Sequence, residues 1–376
     1  MKSAFNSQGN NLDFLRLVFA VTVIFSHSYP LCLGMQTETY GAGSSVTEPM
    51  LRFSHGQTTL GTVAVDAFFI ISGFLIANSF LRSRSLLTYF RKRIARIYPG
   101  FIVCMLVLAF VVTPIAGGAF AYQGLSDRLA DFIGRTSLLW NINLAHSFVH
   151  NPLPNVIDGA VWTIPWEFAC YIGLAAMGVA GLLHRRHFTL LIFCAMLLYF
   201  LVSEIIVWIG IPPAAHWTSF FDPHLYVDLR GMPMCFTAGT VFYLYRERIP
   251  HRNILAIVSA FVLICSCFIP YTWVLCSPLA GTYLIFWFAF HPRIRIHHFA
   301  RYGDFSYGTY LYAFTVQQLI VQALGSTVRP FTLFLLATPP SLIAGVLSWY
   351  GVERWFLGAR RRHGADAPIL PVAAVD

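Results

Sequence analysis

Arg16 and His27 are two ionisable residues inside one long apolar run of the sequence. They are eleven positions apart, which in an α-helix brings two side chains to within about 20° of each other and about 16 Å apart along the axis. One helix face would therefore carry a permanent cation and, further along, a base that accepts a proton near neutral pH. We predict that His27 is a catalytic base and that Arg16 binds substrate. A core histidine and an arginine that reaches the lipid headgroups are the structural alternatives.

Two carboxylic acids lie in later apolar runs. Asp66 is in the second run, and Glu167 follows Trp162 and Pro165 in the fourth. Counting about 1.5 Å per residue from the predicted helix ends places both at the depth of His27, in the outer third of a bilayer. Either carboxylate could orient the imidazole and stabilise its protonated form, so both are predicted to be catalytic. The alternatives are that Asp66 caps its helix and that Glu167 is structural.

A basic stretch, residues 91–99, opens the third apolar run. Arg93 and Arg96 are three positions apart and would share a helix face. Paired guanidinium groups bind oxyanions bidentately, so we predict that the pair binds the phosphates of a substrate. The alternative is a positively charged anchor that only sets the membrane topology.

The composition indicates what kind of element positions these residues. Of the 376 residues, 57% are hydrophobic and 11% are charged, whereas soluble domains carry about 25% charged residues. A soluble globule, a disordered chain and a coiled coil are therefore excluded. The net charge of +9 is spread in short runs between apolar stretches, which indicates a membrane surface as partner and not a nucleic acid. The eight cysteines have no zinc-ligand spacing, and no metal is expected.

The apolar runs predict an all-α polytopic membrane protein, a bundle of about ten transmembrane helices that forms one domain over residues 1–376. Lys and Arg concentrate in alternate loops, which places those loops and both termini in the cytoplasm. Residues 364–376 are expected to form a flexible tail. The predicted spans are residues 13–33, 60–80, 94–116, 158–182, 188–211, 230–245, 252–269, 271–291, 305–324 and 331–351.

Short motifs around these residues resemble the acyltransferase-3 family of membrane O-acyltransferases. They follow the family order along nearly the whole chain. Many members have a histidine three positions after the tyrosine that is Tyr310 here, whereas this chain has Ala313 at that position. The matching segments are LDFLR at 12–16, FSHS at 25–28, VDAFFIISGFLI at 65–76, RIARIYP at 93–99, the tryptophan motif at 162–167, FSYGTYLY at 305–312 and VER at 352–354.

The resemblance implies the transfer of an acyl group, usually acetyl, from cytoplasmic acyl-CoA to a hydroxyl of an envelope or secreted glycan. Exopolysaccharide, O-antigen and lipo-oligosaccharide all fit as the acceptor. Acetyl-CoA is then a co-substrate, no cofactor is tightly bound, and polysaccharide-assembly proteins are possible partners. The implied location is the bacterial inner membrane, which the chain crosses several times.

The resemblance also implies roles for individual residues. The arginine and histidine that the family carries in its first span correspond to Arg16 and His27. Its donor-side arginine pair corresponds to Arg93 and Arg96, and its acidic tryptophan motif to Glu167. Three aromatic residues of the matching motifs are expected to bind substrate as well: Tyr98, Trp162 and Tyr310.

A secondary transporter or flippase for a glycan or small metabolite is the rival function, because charges within a membrane suit a transport pathway as well. Carriers often consist of two related halves with paired broken helices, and the sequence shows no such repeat. A non-catalytic scaffold for polysaccharide assembly would leave the charges in the apolar runs unexplained.

Overall fold

The computed structural model describes residues 10–34, 47–120, 124–142, 144–208, 223–294, 296, 299, 302–325 and 327–358. This part of the chain is mainly helical, and its one sheet pairs β1 (Ala119–Phe120) with β2 (Leu144–Ala145) in antiparallel fashion. The helices are α1 Leu12–Leu33, α2 Pro49–Phe53, α3 Leu60–Leu81, α4 Leu86–Ile115, α5 Leu125–Ser137, α6 Ile164–Val179, α7 Arg186–Trp208, α8 Pro223–Tyr245, α9 Asn253–Phe268, α10 Trp273–Ala289, α11 Ser306–Leu324 and α12 Pro330–Leu357.

The outer surface of the bundle is apolar. Leu191 of α7, Ile257 of α9 and Leu347 of α12 are 61%, 63% and 66% exposed, respectively. Contiguous apolar surface of this kind is unfavourable in water and suits contact with lipid. Within the described part of the chain, five helices could cross a membrane by length and composition: α1, α3, α4, α7 and α12. The chain is therefore an all-α membrane protein.

A helix lies in each of the ten intervals predicted from the sequence, but some ends differ. α4 begins at Leu86 and not at residue 94, because the Ser85 hydroxyl accepts a hydrogen bond from the backbone N–H of Thr88 and caps the helix there. The basic stretch therefore lies within α4 and not before it. The predicted tail, residues 364–376, and residues 209–211 of the fifth interval lie outside the described residues.

The fourth interval differs more, because α6 begins at Ile164 and not at residue 158. The residues before α6 pack against α11. They have no helical structure apart from the 3₁₀ turn Val161–Thr163. Polar side chains of α11 satisfy the backbone carbonyls that a helix would otherwise have satisfied, and irregular backbone buried in this way is tolerated at membrane depth. Gln318 donates to the carbonyls of Leu153 and Val156, Thr315 to that of Ile157, and Tyr310 to that of Ala160, at 2.7–2.9 Å.

α3 and α8 approach each other so closely that each needs a glycine at the crossing. A Cβ atom on Gly73 would lie 1.9 Å from the carbonyl oxygen of Phe236, and one on Gly239 would lie 1.9 Å from that of Ile70. The Thr240 hydroxyl donates to the carbonyl of Gly73 at 3.2 Å across the same contact. Small residues at helix contacts in membranes allow such packing of backbone against backbone.

We expect Gly239→Ala to lower the free energy of unfolding by about 2 kcal/mol or more, because the methyl group meets a backbone atom that cannot move unless the helices separate. Thermal unfolding of the detergent-solubilised protein measures the effect. Gly173→Ala in α6 is the matched control, since nothing lies within 4 Å of a Cβ there. Equal melting temperatures for the two variants would contradict this description of the α3–α8 contact.

Candidate active site

Arg16 and His27 both face α11. Arg16 forms an ion pair with Asp304, two residues before α11, and the His27 ring contacts the ring of Phe314 edge to face with centroids 5.3 Å apart. Gln317 of α11 donates a hydrogen bond to the backbone carbonyl of Ile24 at 2.8 Å and so holds the two helices together. Ile24 lies between Arg16 and His27 on α1. The face of α1 that carries the cation and the imidazole is therefore directed into the bundle and not toward lipid.

The imidazole of His27 lies beside the irregular segment that precedes α6. Phe314, which it contacts, packs against Gly159 so tightly that a Cβ on that glycine would lie 2.6 Å from the ring. Nδ1 of His27 is buried and has no hydrogen-bond partner among the described residues. A buried nitrogen without a partner costs free energy that a bound hydroxyl group would recover.

A second polar cluster forms where Arg16 meets Arg96 of α4. Nη2 of Arg96 lies 2.5 Å from Oδ2 of Asp304, the oxygen that also pairs with Arg16. Nη1 of Arg96 lies 3.2 Å from Oε2 of Glu353 in α12, which is 1% exposed. Four separate segments of the chain are thus joined by charge at this end of the bundle. We call these four residues the arginine–carboxylate cluster.

Asp304 is the centre of the arginine–carboxylate cluster. Burial by itself would raise the pKa of its carboxyl group, but the guanidinium groups of Arg16 and Arg96 and the hydrogen bonds from Ser306 hold that pKa well below its ordinary value. Sequence reasoning assigned no role to Asp304 or to Glu353. The available signals were the Asp-x-Ser spacing before α11 and the match of residues 352–354 to a family motif.

Arg93 and Arg96 share a face of α4, yet they have different partners. Nη2 of Arg93 lies 3.4 Å from the Ser79 hydroxyl, and its guanidinium group lies over the Tyr171 ring at 5.9 Å from the centroid. Its Nε is buried without a partner among the described residues. Of the two arginines predicted to bind the phosphates of a substrate, Arg96 is thus bound to carboxylates, whereas Arg93 lies against Ser79 and Tyr171.

Glu167 accepts two hydrogen bonds, from the Tyr171 hydroxyl at 2.5 Å and from the Ser72 hydroxyl at 2.8 Å. Ser72 is six residues beyond Asp66 on α3, so Glu167 lies about 9 Å deeper than Asp66. The expectation that both carboxylates share one depth is wrong, because α6 starts late and begins well inside the bundle. Sequence reasoning missed Ser72 and Tyr171, although Tyr171 is four residues after Glu167 and shares its helix face.

Asp66 is directed toward α8. The Cys235 thiol donates a hydrogen bond to its carboxylate, and Gly231 packs nearby, where a Cβ would lie 4.0 Å from Oδ1. Nδ1 of His27 is not hydrogen-bonded to either carboxylate, Asp66 or Glu167, in the described structure.

Tyr310 and Trp162 lie where α11 meets the beginning of α6. The Tyr310 hydroxyl donates to the carbonyl of Ala160 at 2.7 Å and is also 2.7 Å from the Thr163 hydroxyl. Trp162 belongs to the 3₁₀ turn between these two residues and packs against the main hydrophobic core. Both predicted substrate-binding residues thus lie at the contact between α11, which carries Phe314 beside His27, and the turn that leads into α6, which carries Glu167.

Tyr98 is placed differently. Its hydroxyl donates to the carbonyl of Ser137 at 2.8 Å, and its ring contacts Phe168 edge to face at 5.8 Å. Tyr98 therefore joins α4 to the end of α5 and to α6. The structure does not bring it together with Arg16 or His27.

Several of these side chains lie deep in the bundle and yet keep accessible surface. The side chains of Arg16, Asp304 and Arg96 are 21%, 16% and 15% exposed, and Tyr310 and His27 are half-buried. These residues follow one another from the arginine–carboxylate cluster to the imidazole.

Comparison with known proteins places this arrangement in a family. An acyltransferase-domain family profile matches residues 10–350. An O-acetyl transferase of Shigella phage Sf6 is 28% identical over 369 residues, which cover 93% of this chain and 96% of that protein. No solved structure matches the chain.

Two further relatives match in part. Acyltransferase MdmB of Streptomyces mycarofaciens is 31% identical over 118 residues, 31% of this chain and 28% of that protein. Nodulation protein 10 of Rhizobium leguminosarum bv. viciae is 30% identical over 174 residues, 44% of this chain and 43% of that protein. Because the family profile covers most of the apolar bundle, from α1 into α12, the chain belongs to the acyltransferase-3 family of membrane acyltransferases.

Proposed function

We propose that this acyltransferase moves an acetyl group from acetyl-CoA to a hydroxyl of an envelope or secreted glycan. The observation that carries the proposal is the face of α1 with Arg16, next to Arg96 of α4, at one end and His27 about 16 Å further along, whose Nδ1 has no partner among the described residues. One end suits the phosphates of a nucleotide-bearing donor, and the other suits proton transfer from a hydroxyl. A relative along nearly the whole chain bears the name O-acetyl transferase, which supports acetyl as the group transferred.

In this proposal the protein lies in a bacterial inner membrane, with ten spans and both termini in the cytoplasm. The excess of Lys and Arg in alternate loops supports that orientation. The arginine–carboxylate cluster then faces the cytoplasm, where acyl-CoA is made, and His27 lies toward the outer side, where the glycan acceptor is expected.

The donor would bind with its phosphates at Arg93 and beside Arg16. Nε of Arg93 has no partner among the described residues, and the Arg16 side chain is 21% exposed. The pantetheine arm would then follow the accessible side chains between Asp304 and Tyr310 toward His27. Glu167 would balance the charge of Arg93 beside this path. Asp66 would orient the imidazole and stabilise its protonated form.

At His27 the acceptor hydroxyl would donate its hydrogen bond to Nδ1. Its oxygen attacks the thioester carbonyl carbon while the hydroxyl proton passes to the imidazole. The carbon–sulfur bond then breaks, and the thiolate of coenzyme A takes that proton, so that one thioester and one alcohol become one ester and one thiol. A covalent acyl-histidine would give the same products in two steps and would show ping-pong kinetics.

Reconstitution tests this function directly. Purified protein in liposomes receives labelled acetyl-CoA on one side and the crude envelope glycan fraction on the other, and labelled ester is measured in the glycan. We expect ester formation that depends on both substrates. Movement of glycan across the bilayer without any ester would instead establish a flippase.

Arg93→Ala is expected to raise the apparent KM for acetyl-CoA by about 10-fold or more, because a charge-assisted hydrogen bond to phosphate contributes about 1.5–3 kcal/mol. The amount of protein in the membrane should not change, since Arg93 lies outside the arginine–carboxylate cluster. The neighbouring exposed Arg91 provides the control Arg91→Ala. An unchanged KM for Arg93→Ala would leave this residue as a topology anchor.

A further inference from the structure

Three aromatic rings form a row across the bundle between the arginine–carboxylate cluster and the imidazole. Phe19 of α1 and Phe68 of α3 contact each other edge to face with centroids 6.2 Å apart. Phe68 in turn contacts Tyr310 of α11 edge to face at 5.9 Å. The row therefore extends from α1 past α3 to α11. We call it the aromatic row.

The position of the aromatic row is defined on both helices that line the proposed path. On α1, Phe19 is three residues after Arg16 and eight before His27. On α11, Tyr310 comes six residues after Asp304 and four before Phe314, the residue that contacts the imidazole. An acyl group that travels from the guanidinium groups to His27 must pass this level.

The rings of the aromatic row are not held equally. Tyr310 is fixed by hydrogen bonds with Ala160 and Thr163, and its ring cannot move without breaking them. Phe68 is apolar and keeps some accessible surface, and its ring contacts hold it with about 0.5–1.5 kcal/mol each. Phe68, the middle ring of the row, is therefore easier for a substrate to displace than Tyr310.

From this geometry we propose that the aromatic row, with Phe68 as its movable member, selects the acyl group by size and restricts the enzyme to short acyl donors. The inference rests on the proposed transfer from acyl-CoA and adds to it the residue that excludes longer acyl chains. Beyond the row, the rise from Tyr310 to Phe314 leaves about 6 Å along α11. That height accommodates a two-carbon acyl group beside the imidazole, whereas each further methylene group must displace Phe68.

The test compares acetyl-CoA with butyryl-CoA as donor, using crude envelope glycan as acceptor and release of free thiol as the signal. Discrimination per methylene group in an apolar pocket is about 10–200-fold. We expect Phe68→Ala to raise the ratio of kcat/KM for butyryl-CoA over acetyl-CoA by at least about 10-fold. Phe68→Leu should raise it less, and Phe68→Trp should lower it.

Phe331→Ala is the matched control, because that ring is 59% exposed on α12 and also contacts another phenylalanine ring, with centroids 6.2 Å apart. Its donor ratio should equal that of the wild type. An unchanged ratio in any Phe68 variant that is present in the membrane and uses acetyl-CoA overturns the inference. Loss of all activity in the three Phe68 variants at normal protein amounts overturns it as well. A wild-type protein that uses neither donor contradicts the proposed function instead.

Discussion

Replacing His27 by alanine is expected to lower the rate of acyl transfer by about 10²–10⁴-fold, the range that general bases contribute. The amount of protein in the membrane should stay normal, because Nδ1 of the imidazole forms no hydrogen bond with the described residues. The loss should appear in kcat more than in the KM for acetyl-CoA, since the proposed phosphate contacts lie about 16 Å away.

His184→Ala is a suitable control for that experiment, because His184 is exposed in the turn after α6 and far along the chain from α1. Ester formation is measured for both variants in the same reconstituted system. His27→Gln should be as inactive as His27→Ala, since an amide keeps a hydrogen bond but cannot accept the proton. Retained acylation in either His27 variant would eliminate this residue as the base.

Asp304→Asn is expected to destabilise the protein by about 3 kcal/mol and to abolish most of its activity. The change leaves Arg16 and Arg96 next to each other without the carboxylate that separates their charges, and removing one partner of a buried pair typically costs about 3–5 kcal/mol. Because these two guanidinium groups belong to α1 and α4, their separation would also move the proposed donor site.

The same substitution at Asp131 provides a control within an ion pair. Asp131 pairs with Arg135 one turn later in α5, where the arginine side chain is 40% exposed, and we expect such a local i,i+4 pair to contribute at most about 1 kcal/mol. Thermal unfolding and donor-dependent activity are measured for both variants. Equal losses for Asp131→Asn and Asp304→Asn would show that the arginine–carboxylate cluster has no special importance.

The depressed pKa of Asp304 sets how the stability difference between the wild type and Asp304→Asn depends on pH. A carboxyl group whose pKa is lower in the folded chain than in the unfolded chain contributes its full stability above the unfolded value of about 3.9. That contribution to stability is lost only as the pH falls toward the pKa of the Asp304 carboxyl group in the folded chain. The difference in melting temperature between wild type and Asp304→Asn should therefore be constant between about pH 5 and pH 8.

The irregular segment before α6 explains why depth was misjudged for Glu167. Counting residues from an assumed helix start at residue 158 puts Glu167 in the outer third of the bilayer, at the depth of Asp66. In the structure, hydrogen bonds from Gln318, Thr315 and Tyr310 replace the helical ones, so the chain enters the bundle as an irregular segment. The periodicity of a sequence does not reveal such side-chain support, because the donors lie on a distant helix.

The sequence by itself determined the features that depend on neighbours along one helix. The apolar runs and low charge content predict a helical membrane protein, and the eleven-residue spacing places Arg16 and His27 on one face of α1. These features follow from hydrophobicity and helix geometry, which are local properties. The family motifs are likewise local, and the profile match confirms the assignment drawn from them.

Only the tertiary structure decided which groups surround those two residues. Arg16 and Asp304 are 288 positions apart, and Arg96 and Glu353 are 257 apart. The separation of Arg93 from Arg96 by their partners, the hydrogen bonds of Glu167 and the aromatic row likewise depend on contacts between different helices. Helix packing sets such contacts, and a spacing rule within one helix carries no information about them, because it does not say which face of another helix lies opposite.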